Sequence, residues 1–299
     1  MLDIYRRRAW RHAADLRRVI TRSGSARPAL AVFEDVDRSD AATWHATTDA
    51  EHERYRGLID PIDDDVAIVC VSNRPHLLAD VIANVERQQQ GRLEFVYVDN
   101  SGSKDHRSMA ARLDEAFSGR TRSSFLTRAP NVSLGSCLNA AMRRTEARFV
   151  AKFDDDDLYG PDYLLDALRA HRYAGAGVVG KHTYYGHLTE TDEYVLRFPG
   201  HEFSYTSTLA GGTLLIDRQR VGDLSFRDIS LGEDRAFIAD CHRRGVSTFS
   251  ADRFGFLQAR GADNTWASDR TSYLAKSRIV SRVEATARLR LDETGPSRA

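Results

Sequence analysis

The sequence predicts an α/β fold with a mostly parallel central sheet flanked by helices, and three observations predict it. Apolar runs at Val66–Val71, Leu93–Val98 and Phe149–Phe153 have the length and β-branched content of strands buried on both faces. The first two runs each end in a polar turn followed by helical periodicity, which is half of a βαβ unit. The third ends in four consecutive carboxylates, Asp154-Asp155-Asp156-Asp157. Ligands of open parallel sheets bind beyond the carboxyl ends of the strands, so these turns mark the functional edge.

Taken in order, Leu2, Tyr5, Ala9, Ala13, Leu16 and Ile20 recur at three- and four-residue steps and predict an amphipathic helix. Its other face carries Arg6, Arg7, Arg8, Arg11, Arg17 and Arg18. Such a helix either docks on the body of the protein or rests on anionic lipid. Residues 22–28 turn to Ser, Gly and Pro and read as a linker. A short strand at Ala31–Phe33 and a helix near Ala50–Leu58 follow within an acidic stretch that ends in Asp63-Asp64-Asp65.

The strand at Val66–Val71 leads through Ser72-Asn73-Arg74-Pro75 into a helix marked by Leu77, Leu78, Val81, Ile82 and Val85. The strand at Leu93–Val98 leads through Asp99-Asn100-Ser101-Gly102 to a helix over Ser108–Phe117. Ser124–Thr127 reads as a third strand, Asn131–Arg144 as a turn plus helix, and Phe149–Phe153 as the fourth strand. A last amphipathic helix is expected over 268–290, with disorder from Asp292. The chain thus divides into an N-terminal extension (1–65), a main domain (66–267) and a C-terminal helix and tail (268–299).

Composition excludes several function classes. At 41% hydrophobic and 29% charged residues the chain is an ordinary globular one. It has no apolar run near the roughly 20 residues of a membrane span and no signal-peptide pattern, so a soluble cytoplasmic protein is expected. Nucleic-acid binding needs a broad basic face with interleaved aromatics, which the sequence lacks. Cys70, Cys137 and Cys241 lie far apart in apolar surroundings and read as buried thiols.

The carboxylate run carries the strongest chemistry. Four acids directly after a buried strand repel one another unless a cation neutralises them. Hard divalent ions such as Mg²⁺ and Mn²⁺ take oxygen ligands, commonly one or two carboxylates plus substrate phosphates. In an extended segment residues two apart face the same way, so Asp154 and Asp156 are expected to face one metal together. A plain reading makes the run a solvated turn in which Asp157 caps the helix after Gly160-Pro161-Asp162. Two further motifs follow: a small-residue turn at Ala210-Gly211-Gly212-Thr213, and Gly232-Glu233-Asp234 opening a helix. By itself the acidic pair would merely cap that helix and favour its dipole.

The succession Val71-Ser72-Asn73-Arg74-Pro75, Val98-Asp99-Asn100-Ser101-Gly102, Asn131 to Asn139 and Phe153-Asp154-Asp155-Asp156-Asp157 resembles family 2 glycosyltransferases over about residues 66–260. The resemblance implies a GT-A fold and an inverting enzyme that uses a nucleotide-diphosphate sugar and a divalent metal, Mn²⁺ or Mg²⁺. It implies that Ser72, Asn73, Arg74, Asp99, Asn131 and Asn139 serve the nucleotide. Asp154 and Asp155 would hold the ribose region, and Asp156, with Asp154, the metal. Gly211 and Gly212 would line the acceptor side, and Asp234, or failing it Glu233, would act as general base. In similar enzymes the segment from Phe256 closes over the donor, so Arg260 would meet the diphosphate and Trp266 would stack on the acceptor. Asn100 departs from the second Asp common in its turn, which leaves base selection open.

The implied partners are a nucleotide-sugar donor and a carbohydrate, lipid-linked or other hydroxyl acceptor, as in polysaccharide biosynthesis. Two other readings stand beside it. A nucleotidyltransferase on a related sheet would carry a Gly-rich basic loop after the first strand, and Ser72-Asn73-Arg74-Pro75 has no glycine. A non-catalytic carbohydrate-binding protein would have no use for both Asp156 and Glu233-Asp234.

Overall fold

The computed structural model describes residues 41–119, 121–261, 270–287 and 289. The helix expected over 2–20, the linker, the strand at 31–33, Trp266 and the residues from Asp292 lie outside them.

Helix α1 (Ala41–Leu58) precedes the first βα units: β1 (Val66–Ser72), α2 (Leu78–Glu86), β2 (Leu93–Asp99), α3 (His106–Phe117), β3 (Arg122–Thr127), α4 (Leu134–Met142) and β4 (Phe149–Phe153). These match the expected elements to within a few residues at their ends. After β5 (Leu158–Tyr159) come α5 (Tyr163–Ala174), β6 (Val178–Gly180), the hairpin β7 (Tyr184–Leu188) and β8 (Glu193–Arg197), and β9 (Ser204–Tyr205). The chain continues through β10 (Leu215–Asp217), α6 (Arg218–Val221), α7 (Glu233–Arg243), β11 (Thr248–Ser250) and β12 (Phe256–Arg260). It closes with α8 (Arg270–Leu274), β13 (Ser277–Val280) and α9 (Arg282–Thr286).

The larger sheet runs β3-β2-β1-β4-β10-β6-β11-β9. Strands β1 to β4 are mutually parallel, β10 is antiparallel between β4 and β6, and β11 is parallel to β6. Strand β6 therefore points the same way as β1, and the carboxyl ends of β1, β2, β4, β6 and β11 share one edge. Alternation along the strands divides the core between two faces. Ile68, Phe95, Phe149 and Phe153 pack under α2, α3 and α5, while Val69, Val96, Val150, Val178 and Ile216 pack under α4 and α7. A second sheet, β13-β8-β7-β12-β5, meets that edge through β5, which follows Asp157, and β12, whose Ala259 N–H donates to Asp157.

Two expectations change. The 268–290 segment is not one helix. Ser277–Val280 pairs antiparallel with β8, and Ser281 caps a new helix by accepting from the Glu284 N–H. The β-branched Ile279-Val280 favours the strand. Helix α1, expected as part of a separate extension, is built into the body: Tyr55 and His52 both bond the buried Asp252 carboxylate, and Arg253 reaches Asp49. Cys70, Cys137 and Cys241 are buried free thiols.

The fully buried Asp217 joins the two halves of the sheet. It accepts from Arg148 Nη2 at 2.9 Å and meets His171 Nε2 at 3.0 Å. Burial alone would raise its carboxyl pKa, but the His171 and Arg148 bonds outweigh that and hold it well below the usual carboxylate range. A depressed pKa contributes stability above the unfolded value, about pH 3.9, which is lost as pH falls below it. Asp217→Ala is expected to cost about 3–5 kcal/mol, since it strands buried partners. Urea unfolding at pH 7 checks this, and the gap between wild type and variant should narrow below pH 4.

Candidate functional site

Strands β1 and β2 end side by side, and the Asn100 N–H donates to the Ser72 carbonyl at 3.0 Å. Asp99 is fully buried, with one carboxylate oxygen taken by the Ser101 N–H and the other 3.2 Å from His106 Nδ1. Ser72 Oγ donates to Asp155 Oδ2 at 2.5 Å, and the Arg74 guanidinium forks onto Asp155 and reaches Asp156 Oδ2 at 3.0 Å. The three polar turns thus meet in one cleft. Asn73 and Asn131 are exposed.

Residues 154–157 form a turn rather than an extended segment, so the expected two-residue alternation does not hold. Asp155 and Asp156 gather on Arg74. Asp154 and Asp157 instead both face Gly212, where an added Cβ would lie 2.8 Å from an oxygen of each. Asp157 caps no helix. It is buried, accepts from the Ala259 N–H at 3.1 Å, and so ties β12 to the acidic turn, beside Arg260. Asp162, at the start of α5, pairs with Arg56 instead of capping.

On the other side of the acidic turn lies a group that the sequence reading passed over. Lys152 in β4 is 4% exposed, bonds Asp154 Oδ1, and lies 3.9 Å from Glu233 Oε1. Burial opposes its charge, but Asp154, Glu233 and Asp234 outweigh that and hold it firmly protonated. A lone lysine inside Phe-Val-Ala-Lys-Phe was the available signal, because buried charge needs partners. Tyr159 is the second such group: its hydroxyl donates to the Gly212 carbonyl at 2.7 Å and accepts from the Asp154 N–H at 2.9 Å. Tyr163 likewise donates to Thr213 O at 2.9 Å. The glycine turn is therefore fastened to the acidic turn. A Cβ on Gly211 would lie 2.3 Å from Asp234 Oδ2, so only glycine admits this approach. Asp234 is half-buried against that turn at the first turn of α7.

Asn139 is not aimed at the cleft's ligand side. Its amide donates to the Phe226 carbonyl at 2.8 Å and accepts from the Phe226 N–H at 2.9 Å. Ser133 and Ser136 both bond Asp228, and the Gly135 N–H donates to Ile229 O at 3.1 Å. Helix α4 thus clips the 226–230 loop that delivers Glu233 and Asp234. Asn139→Ala is expected to cost about 1–3 kcal/mol by leaving backbone groups unpaired. Turnover should fall with little change in nucleotide affinity. Thermal unfolding, nucleotide titration and steady-state rates together check it, and an unchanged Tm would discount the clip.

The electrostatics of the acidic turn suit a cation. Burial raises the pKa of Asp156, with Asp154 and Asp155 adding to it against the opposing pull of Arg74. Burial raises that of Asp157 further, with Asp156 and Asp154 adding to it. Glu233 is pushed up to about 6, chiefly by burial and by Asp234, against the lowering effect of Lys152. Among the described residues no three acids, histidines or cysteines form a ligand cage. Asp156 with one neighbouring carboxylate of the turn would fit the one or two protein ligands that Mg²⁺ or Mn²⁺ takes when phosphate oxygens complete its shell. Arg74 now holds the place of positive charge between Asp155 and Asp156. No helix among the described residues is long and apolar enough to cross a membrane.

A family profile described as Glycosyl transferase family 2 matches residues 66–227. An N-acetylglucosaminyltransferase from Mesorhizobium japonicum is 31% identical over 118 residues, which is 39% of this chain and 28% of the relative's length. The chain thus spans under a third of the curated relative it matches. Among solved structures, the mannosyltransferase PcManGT from Pyrobaculum calidifontis, in complex with GDP-Man and Mn²⁺, aligns with a TM-score of 0.55 at 15% identity. That alignment covers 79% of this chain and 69% of the other. S. aureus TarS 1-349, in complex with UDP-GlcNAc, aligns at 0.53 and 14% identity, over 71% and 64% of the two chains. At these identities the likeness concerns the fold, which is GT-A.

Proposed function

The chain belongs to glycosyl transferase family 2, and we propose that it moves a sugar from a nucleotide-diphosphate donor to an acceptor hydroxyl by single-step inversion. The observation that carries the reading is the meeting of three groups on one sheet edge: Ser72-Arg74-Asp99, the Asp154–Asp157 turn, and Asp234 against Gly211. The first pocket has the hydroxyl, guanidinium and buried carboxylate that a base and ribose need. Asp156, with Asp154 or Asp155, would hold a divalent ion, and Arg260 would meet the diphosphate. When bound, that ion supplies Lewis-acid stabilisation of the departing diphosphate.

The remaining chemistry belongs to the chain itself. Asp234 takes the acceptor hydroxyl's proton as its oxygen bonds to the anomeric carbon and the bond to the diphosphate breaks. An ordinary carboxylate is a weak base, so the proton moves late, once leaving-group cleavage has built oxocarbenium character. Lys152 holds Asp154 and Glu233 at fixed positions, and the glycine turn lets a sugar approach the backbone.

Incubation with Mn²⁺ and a panel of nucleotide sugars tests the reading through release of nucleoside diphosphate. Release of pyrophosphate from a nucleoside triphosphate would mark a nucleotidyltransferase instead. Binding of sugars with no turnover of any donor would mark a carbohydrate-binding protein.

A further inference from the structure

His182 lies two residues past β6, on the edge that carries the cleft. Its neighbour Lys181 accepts from the Ala210 N–H at 2.8 Å, so this segment runs beside the glycine turn packed on Asp234. Lys181 Nζ goes to Asp252 and lies over the Tyr163 ring, on the α5 face. His182 sits in the bend that follows, where its N–H donates to Ser250 Oγ at 3.0 Å and its ring Nδ1 lies 3.2 Å from Thr206 Oγ1.

What stands on His182 is unusual. The exposed His201 ring stacks on it, with centroids 4.2 Å apart and an interplanar angle of 18°, and Phe198 packs 5.4 Å away. His201 lies in a loop whose flanking aromatics both adopt positive φ, 44° at Phe198 and 45° at Phe203. That conformation is costly for bulky side chains and persists only where the surroundings enforce it. They do so here. The Thr183 hydroxyl donates to Phe198 O at 2.5 Å and accepts from the His201 N–H at 3.1 Å. The Phe198 N–H donates to Lys276 O at 2.8 Å, and the buried Glu202 accepts from the Gly200 N–H and pairs with Arg253. Packing alone would not require a strained loop to hold an imidazole out at a rim.

The geometry points to the His201–His182 stack as a platform for a pyranose ring of the acceptor, and so to a carbohydrate acceptor. A stacked ring pair offers its exposed face to the C–H surface of a sugar. Burial, with His201 and Lys276 nearby, lowers His182 to about 4, so it stays a neutral imidazole at pH 7. The assignment rests on the reading of Asp234 as the base on the acceptor side.

Saturation-transfer NMR on the full chain, with methyl glycosides of glucose, galactose, mannose and N-acetylglucosamine, tests it. UDP and GDP titrations with Mn²⁺ run in parallel to read the donor pocket separately. At least one glycoside should bind the wild type and shift the His201 ring protons. His201→Ala should weaken that binding about 5- to 10-fold, His201→Trp should retain it, and nucleotide affinity should be unchanged in both. If no glycoside binds the wild type, or His201→Ala binds as the wild type does, the platform is overturned, whatever the nucleotide titrations show. Failed nucleotide binding beside intact glycoside binding would count against the transferase reading alone.

Discussion

Asp156→Asn is expected to lower turnover by about 10³-fold or more while leaving the protein as stable as the wild type, or slightly more so. The two effects separate because Asp156 gains little from its own charge in the folded protein. Burial raises its pKa, with the Asp154 and Asp155 carboxylates adding to it against Arg74. Removing the charge relieves repulsion. On the proposed reading the same change also removes an anionic ligand of a metal whose Lewis acidity would contribute several kcal/mol to the transition state, and a neutral amide would not replace it. EDTA should reproduce the loss in the wild type, and Mn²⁺ should reverse it there but not in the variant. Full turnover in EDTA would overturn the metal reading. Asp155→Asn makes an informative contrast. Asp155 anchors Ser72 and Arg74, so its loss should appear first in donor affinity.

Local signals made most of this fold legible. Strands β1, β2 and β4 are buried on both faces and read as largely apolar runs, with Glu94 and Lys152 as the charged exceptions before the terminal polar turn, which is why their ends match the expected ones closely. The C-terminal segment misled because its spacing of apolar residues suits a helix, while its pairing with β8 lies some eighty residues away in sequence. Non-local pairing leaves no periodic trace. Helix α1 misled in a related way: its acidic neighbourhood suggests a linker, and nothing local reveals that His52 and Tyr55 meet Asp252.

The site was legible at the level of motifs and less so at the level of partners. Ser72, Arg74, Asp99, the acidic turn and Glu233-Asp234 do assemble on one edge. Asn139 lies near them in the pattern, yet both ends of its amide hold the Phe226 backbone. Pairing Asp154 with Asp156 assumed extended geometry, and the turn pairs Asp154 with Asp157 instead. Lys152 and Tyr159 were overlooked because each sits in an otherwise apolar stretch, where a pattern of hydrophobicity treats a polar group as an interruption rather than as a centre.

Asp234→Asn is expected to lower kcat by about 10²–10⁴ with donor affinity nearly unchanged. Two acids compete for the base, and the structure gives them different surroundings. Glu233, pushed up to about 6, has the better-matched pKa but is 6% exposed and lies 3.9 Å from Lys152. Asp234 is half-buried and packs against Gly211, where an acceptor would meet it. Access decides for Asp234, because a base must reach the proton it takes before its pKa matters. Glu233 then serves Lys152, and Glu233→Gln should lower the rate by about tenfold or less. The pH profile separates the roles. If Glu233 were the base, kcat would fall as pH drops through about 6, where its carboxylate takes up a proton, and Glu233→Gln would be nearly inactive. With Asp234 as the base, Glu233→Gln keeps roughly a tenth or more of its turnover and Asp234→Asn does not. Normal turnover in Asp234→Asn would place the base elsewhere on the α7 face.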